Sequence, residues 1–247
     1  MHTQEDLNNK MRSILVDWLV EVHHKFRLAS TSLWLCVNII DRFLMKVPIK
    51  RAKLQLVGIS AFFIACKFEE VHPPEAKDFV HITDNAYTRQ EMLLMESDIL
   101  NALNYEILIP TGYNFLHRYL DSIRAGDNIR MLANYYAERN LQEAHMLEVK
   151  PRIFAAAAIY AALVQQSQRY ATTSTATTNN NDTIIWNRIL KEESNLTVED
   201  ILPCARLIIQ HVREEPITTS KRKLNAAKKK YSLDKYLFVG KLDLPVL

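Results

Sequence analysis

Three groups of side chains in this sequence could carry chemistry: two adjacent histidines, a cluster of carboxylates and three cysteines. His23 and His24 resemble a metal-binding pair, but neighbouring residues on a helix point about 100° apart, so the two rings do not converge on one ion. Glu69, Glu70 and Glu75 bracket a Pro-Pro turn. The end of one helix and the first acidic residue of the next explain these carboxylates without a bound cation. We therefore expect no metal site.

The cysteines Cys36, Cys66 and Cys204 lie in apolar segments and form no CxxC pair. This odd count predicts buried thiols in a reducing compartment rather than a disulfide framework. The sequence also lacks the phosphate-binding motifs GxGxxG and GxxxxGK, the nucleophile motif GxSxG and the zinc motif HExxH. We expect no catalytic residues and no cofactor.

The first predicted helix, which begins near Lys10, is apolar over more of its circumference than one core face requires. Either both sides are packed inside the domain, or one edge is exposed as a docking patch. Asp17 and Glu21 would give such an edge an acidic rim. The apolar residues recur at helical spacing and span about 240° of the helix: Met11, Ile14, Leu15, Val16, Trp18, Leu19, Val20, Val22 and Phe26.

A carboxylate, Glu96, interrupts the apolar stripe of another predicted helix. A charge within such a stripe must be paired, or must face something other than the core. We keep two interpretations open, an internal salt bridge and a charged member of a partner-binding surface. The stripe itself consists of Met92, Met95, Ile99, Leu100 and Leu103.

The composition predicts helices as the elements that position these residues. The chain has 247 residues, of which 48% are hydrophobic and 24% charged, which excludes disorder along the whole chain. Only four are glycine, far fewer than an α/β enzyme of this size uses. No apolar stretch is long enough for a membrane span, and the N-terminus shows no apolar core of a secretory signal.

Charge is distributed unevenly along the chain. Residues 221–235 carry seven Lys or Arg against one Asp, whereas the whole chain has a net charge of +3, so the rest is net negative. We interpret this stretch as a solvated basic tail, with nuclear import or binding to an anionic surface as the alternative.

Hydrophobic periodicity predicts an all-α protein with two successive five-helix units. In the first unit, the helix that begins near Lys10 is followed by predicted helices over 32–47, 51–68, 75–82 and 88–105. Thr31 or Ser32 is the expected N-cap of its second helix, and Thr88 opens a capping box. The same pattern of helices repeats about 100 residues later. A helix begins at Pro110, two more are predicted over 128–141 and 151–166, and Thr197 opens a second capping box.

In each unit, small residues line the third helix, which predicts that it is the central strut. The domains expected are 1–107, 108–215 and a basic tail over 216–247. The polar, low-complexity stretch at about 171–183 is expected to be a disordered loop.

Several segments together resemble the cyclin box of mitotic A- and B-type cyclins, and HHKF at 23–26 favours the B type. They match in order and spacing and cover residues 10–107 densely. The second unit resembles a C-terminal cyclin box in helix pattern only. The matching segments are MRSILVDWLVEV at 11–22, NIIDRFL at 38–44, KLQLVG at 53–58, ACKFEEVHPPE at 65–75, HITD at 81–84 and YT at 87–88.

This resemblance implies a regulatory subunit of a cyclin-dependent Ser/Thr kinase, without catalysis of its own. The family packs the third and fifth helices of the first box against the kinase's C-helix and activation segment. That contact positions a glutamate of the kinase to pair with its β3 lysine. Matched by position, the kinase-binding residues are Lys67, Glu96, Ile64, Phe68, Leu100, Tyr105 and Ile107.

The resemblance also implies an apolar patch that docks substrates or inhibitors carrying Arg-x-Leu motifs. Two acidic residues, Glu21 and Asp84, match those that meet the basic residue of such motifs. The other members are Met11, Ile14, Leu15, Trp18, Arg51, Leu54 and Gln55.

Two features qualify these expectations. Only nine residues precede Lys10, so the family's helix before the first box is at most a stub here, and no N-terminal destruction signal is evident. A second function class, a transcription factor built from two cyclin folds that binds nucleic acid, is disfavoured by the net negative charge outside the tail. We expect a nuclear and cytoplasmic protein with no membrane partner.

Overall fold

The computed structural model describes residues 4–173, 186–214, 218–219 and 222–247. Contacts divide the chain into two units, Met1–Thr111 and Gly112–Leu247, a few residues beyond the predicted boundary at 107. The first residues of the low-complexity stretch that was expected to be a loop, 171–173, continue a helix that ends at Thr173. The rest of that stretch, from 174 onward, lies outside the described residues.

The first unit contains five α-helices among its described residues, as predicted. A short 3₁₀ turn, Arg51–Lys53, replaces the expected start of the third helix. The helices are α1 (Asn9–Phe26), α2 (Ser30–Lys46), α3 (Leu54–Glu69), α4 (Ala76–His81) and α5 (Arg89–Ala102).

The second unit repeats this order over its described residues and adds a sixth, short helix in the predicted tail. A two-residue antiparallel pair, Thr218–Thr219 with Arg222–Lys223, precedes that helix. The helices are α6 (Gly112–Ser122), α7 (Asp127–Asn140), α8 (Pro151–Thr173), α9 (Arg188–Ser194), α10 (Val198–Arg213) and α11 (Ala226–Tyr231).

Local signals in the sequence explain where several helices begin. The Asn8 side chain accepts a hydrogen bond from the Met11 amide at 3.0 Å and caps α1. Thr88 and Glu91 form the predicted capping box of α5, with the Glu91 carboxylate 2.8 Å from the Thr88 amide. Thr197 begins α10 with the second predicted box.

The predicted N-cap of α2 is wrong. The helix begins at Ser30 after Ala29, whose side chain has no acceptor. The carboxylate of Glu70, at the end of α3, supplies the acceptor instead: its Oε1 receives the Ala29 amide at 2.8 Å and the hydroxyl of Ser32. A residue 41 positions away thus caps this helix, which local sequence does not reveal.

Each unit is packed around its third helix, as the small residues predicted. In the first unit α3 contacts α1, α2, α4 and α5, and in the second α8 contacts α6, α7 and α10. Gly58 shows why small residues are needed, because a Cβ there would lie 2.7 Å from Leu15 Cδ1. The alanines at 155–158 are likewise fully buried on α8.

A buried ion pair fastens α1 to α2. Arg12 is 1% exposed and grips Asp41 with two parallel hydrogen bonds, Nε to Oδ1 at 2.6 Å and Nη2 to Oδ2 at 2.7 Å. The planar guanidinium matches the two carboxylate oxygens. A charge this deep must keep its partner, so the pair fixes the position of α1 along α2.

A second buried ion pair fastens α11 to α7, and it corrects the prediction that the basic tail is solvated. Lys230 Nζ lies 2.7 Å from both carboxylate oxygens of Glu138, and both side chains are at most 2% exposed. The Tyr231 hydroxyl adds a hydrogen bond at 3.2 Å. Lys228 and Lys229 remain exposed, because helical spacing turns only one of the three lysines toward α7.

Replacing Arg12 with methionine should lower the free energy of unfolding by about 3–5 kcal/mol, since Asp41 keeps a largely buried carboxylate without its cation. Urea unfolding of the whole chain measures the change. Lys10→Met, at an exposed position of the same helix, is the control and should change stability by less than about 0.5 kcal/mol. Equal effects of the two substitutions would contradict the assignment.

For the second pair, Lys230→Met should destabilise the second unit by a similar amount, about 3–5 kcal/mol, because Glu138 is left charged and buried. Lys229→Met, the exposed neighbour, should have little effect. Thermal unfolding followed by circular dichroism compares them. A fully stable Lys230→Met variant would contradict the role assigned to this ion pair.

Candidate functional site

The structure brings together seven of the predicted docking residues in one groove of about 240 Å³ in the first unit. One wall comes from α1 and the other from the 3₁₀ turn and the start of α3. The groove is lined by Met11, Ile14, Leu15, Trp18, Arg51, Leu54 and Gln55.

The groove has a buried floor and an accessible rim. Leu15 and Leu54 are 5% and 7% exposed and form the floor, while Ile14 is 37% exposed at the rim. Gly58 allows Leu15 to sit this deep, because any larger residue would push its side chain upward. The groove can therefore receive an apolar side chain of another molecule.

Both interpretations of the wide apolar arc of α1 hold, each for a different side of the helix. Val16 and Val20 are 1% and 3% exposed and belong to the core. The edge at Ile14 is the exposed one. The predicted acidic rim is wrong for Asp17, which is 2% exposed, because it lies one turn from the buried residues Ser13 and Val20.

The two predicted acidic docking residues lie outside the groove lining. Glu21 is half-buried on α1, and Asp84 is exposed on the loop between α4 and α5. Asp84 and Asn85 both adopt left-handed backbone conformations, with φ of 55° and 58°. Tyr87 fastens this loop beside the groove through a 2.8 Å hydrogen bond from its hydroxyl to the Ala52 carbonyl.

Residues before α1 also support the groove, which sequence reasoning missed. The Asp6 carboxylate accepts the Arg51 amide at 2.8 Å. The Gln4 side chain donates to the Leu44 carbonyl at 2.6 Å and accepts the Ile49 amide at 2.9 Å. These contacts close the α2–α3 connection, and the polarity of the segment gave no indication of them.

A second candidate surface lies where α3 meets α5. Lys67 and Glu96 form an ion pair with each other, so the internal salt bridge is the interpretation that the structure supports for Glu96. The Glu96 side chain is 10% exposed, whereas that of Lys67 is 45% exposed. The Lys67 ammonium also lies 4.5 Å from the centre of the Phe63 ring, a favourable cation–π distance.

The other predicted kinase-binding residues divide by exposure. Phe68 and Tyr105 are 51% and 65% exposed, and Leu100 is partly exposed. Ile64 and Ile107 are only 4% and 7% exposed, because they pack into the core of their own unit. Little of their surface is available to a partner.

The segment after α5 presents its apolar side chains through an unusual backbone. Asn104 and Tyr105 have left-handed conformations, with φ of 52° and 58°. Arg42 holds the segment by donating to the Glu106 carbonyl at 2.7 Å. Leu108, which sequence reasoning missed, is 78% exposed; its only signal is an apolar residue beyond a helix end.

The His, Cys, Asp and Glu side chains of the described residues do not assemble into a metal site. Among the described residues, no cluster of three or more His, Cys, Asp or Glu could hold a metal ion. Cys36, Cys66 and Cys204 are buried free thiols, and burial raises the pKa of Cys204 to about 12. None of the described helices is both long and apolar enough to cross a membrane.

Comparison with known proteins places these surfaces in a family. A model of the cyclin N-terminal domain matches residues 1–108, and a model of the cyclin C-terminal domain matches residues 110–245. The chain belongs to the cyclin family. The residues of both candidate surfaces lie within the part of the chain that the N-terminal domain model matches.

The curated relatives of this cyclin carry names of B-type and mitotic cyclins, which confirms the predicted type. Cyclin-B2-1 of Oryza sativa subsp. japonica is 39% identical over 98% of this chain and 54% of its own length. G2/mitotic-specific cyclin-2 of Medicago sativa is 38% identical over 98% of this chain and 69% of its own length. The chain thus spans about half to two thirds of the length of such relatives.

Solved structures confirm the fold of two tandem cyclin domains. A viral cyclin from herpesvirus saimiri superposes with a TM-score of 0.70 at 21% identity, over 86% of this chain and 89% of that one. A chain of the CAK complex of Chaetomium thermophilum, bound to ATP-gamma-S, superposes with a TM-score of 0.54 at 13% identity. The superposition covers 82% of this chain and 63% of the length of that chain.

Proposed function

We propose that this cyclin is a regulatory subunit that binds and activates a cyclin-dependent Ser/Thr kinase in mitotic cell-cycle control. The observation that carries this proposal is the Lys67–Glu96 pair, whose cation is half-exposed, together with the exposure of Phe68 and Tyr105, two other predicted kinase-binding residues. Large aromatic side chains are enriched in the binding centres of protein interfaces, where a partner removes them from water. The proposed role is to hold the kinase's C-helix in its active position.

The chain acts in this proposal by binding, without catalysis or a cofactor of its own. The names of its relatives as B-type and G2/mitotic cyclins support this function over the nucleic-acid-binding alternative. We propose that it acts in the nucleus and the cytoplasm.

A second part of the proposal concerns the groove on α1 and α3. We infer that it recruits substrates or inhibitors with an Arg-x-Leu motif, whose leucine enters above Leu15 and Leu54. Glu21 and Asp84 would attract the basic residue of the motif from outside the groove. A contact of this size gives micromolar affinity, about −8 kcal/mol, which raises the local concentration of a substrate without altering the chemistry.

The double substitution Lys67→Ala/Glu96→Ala should weaken binding to a purified cyclin-dependent kinase at least about tenfold, since it removes charge-assisted contacts that hold the kinase. Binding is measured by calorimetry, and activation by phosphate transfer to a peptide. The matched control is Glu75→Ala/Lys77→Ala, an ion pair of 2.9 Å whose side chains are about 70% exposed. Normal binding and activation by the first variant would refute the assignment.

For the groove, Met11→Ala and Glu21→Ala should each slow phosphorylation of a substrate with an Arg-x-Leu motif several-fold and leave a motif-free peptide unchanged. Trp18→Ala is a less clean probe, because truncating so large a side chain also costs stability. Met45→Ala, at a methionine that is 60% exposed outside the groove, is the control. Equal slowing of both substrates would show that the groove is not a docking site.

A further inference from the structure

The turn that follows α11 exposes three large apolar side chains. Leu233, Leu237 and Phe238 are 43%, 43% and 44% exposed. The turn closes on itself, because the Phe238 amide donates to the Leu233 carbonyl at 3.2 Å and the Leu237 amide to the Asp234 carbonyl at 2.7 Å. We call Leu233, Leu237 and Phe238 the C-terminal apolar patch.

The backbone of the patch is held in a costly conformation. Leu237 and Phe238 are consecutive residues in the left-handed region, with φ of 54° each. Bulky side chains rarely adopt this conformation, and it persists only where surrounding contacts enforce it. Such strain in an exposed apolar turn points to a function of the displayed side chains.

Buried neighbours provide the enforcing contacts. Val239 is 2% exposed, and Gly240 packs so closely on α11 that a Cβ there would lie 2.7 Å from the Lys228 carbonyl oxygen. The Lys230–Glu138 ion pair and the buried Tyr231 hold α11 itself on α7. The patch is therefore presented rigidly, which lowers the entropy that a partner loses on binding.

The segment that carries the patch is rich in exposed lysines, one of which contacts it. Lys235 and Lys241 are exposed, and the Lys241 ammonium lies 4.7 Å from the centre of the Phe238 ring. Lys228 and Lys229 are exposed on α11, and Asp234 is the one acidic residue between Ala226 and Lys241. A complementary partner carries acidic residues around one or two apolar side chains.

We propose that the C-terminal apolar patch docks an acidic segment of a partner protein, with an apolar side chain inserted among Leu233, Leu237 and Phe238. A protein partner is favoured over an anionic membrane because the three side chains are each more than half buried, so the rigid turn offers little apolar surface for insertion into a bilayer. This site belongs to the second unit, and the proposal does not depend on kinase activation.

The test selects peptides that bind the whole chain from a phage-displayed library of random twelve-residue peptides. Peptides that also bind the Leu237→Gly/Phe238→Gly variant are removed before each round. Glycine adopts left-handed conformations readily, so this variant removes the apolar side chains while keeping the fold, as circular dichroism would verify. We expect acidic peptides with an apolar residue. A synthetic consensus peptide should bind with micromolar affinity and lose at least about tenfold on this variant and on Lys235→Glu/Lys241→Glu.

Leu147→Ala, at another leucine of the second unit that is 49% exposed, should bind the consensus peptide like the unaltered chain. The proposal is overturned if no peptide distinguishes the chain from the glycine variant, or if those that do are basic. It is also overturned if the chain instead binds vesicles containing phosphatidylserine in a patch-dependent manner. Loss of kinase activation in the glycine variant would assign the patch to the kinase interface and equally refute the proposal.

Discussion

The guanidinium of Arg12, buried against Asp41, is the interaction on which the presentation of the groove depends. A cation with almost no access to water is tolerated only with both carboxylate oxygens in place. That requirement permits one register of α1 along α2. Once α1 is so placed, helical geometry directs Val16 and Val20 into the core and leaves Ile14 at the surface. The apolar groove is thus a consequence of a polar contact.

The Lys67–Glu96 pair follows a different electrostatic logic. Its carboxylate is nearly buried while its ammonium is half in solvent, so the pair is stable in the isolated chain and still has hydrogen-bonding capacity toward a partner. A fully buried pair such as Lys230–Glu138 has none of this capacity, because each group is enclosed by its own unit. Exposure, rather than pairing, separates a charged contact that can serve recognition from one that serves folding.

Local regularities made most of the fold predictable. The capping boxes at Thr88 and Thr197 and the small residues of the third helices depend on neighbours a few positions away, and both predictions are confirmed. The failures involve distant partners. The cap that Glu70 supplies to α2 and the burial of Lys230 by Glu138 join residues 41 and 92 positions apart. Three consecutive lysines look identical until the opposite helix is known.

At the candidate site, too, features set by local sequence were predictable and features set by distant packing were not. Resemblance and periodicity together named the seven residues that line the groove, because they lie in two short segments with strong local patterns, the first half of α1 and the turn that leads into α3. They could not give the burial of Ile64 and Ile107, which depends on how each helix is rotated in the packed unit. The support from Asp6 and Gln4 was hidden for a related reason, since polar residues before a helix ordinarily indicate a solvated end.

The pairing of Lys230 with Glu138 also bears on synthesis of the chain at the ribosome. Glu138 is made 92 residues before its cation, so every nascent chain passes through a stage in which α7 has emerged with a carboxylate that the finished core cannot accommodate alone. Until α11 emerges, the face of α7 that it covers stays open to water, and the second unit cannot complete its packing there. A chain cut short before Lys230 would retain this open, hydrated face of α7.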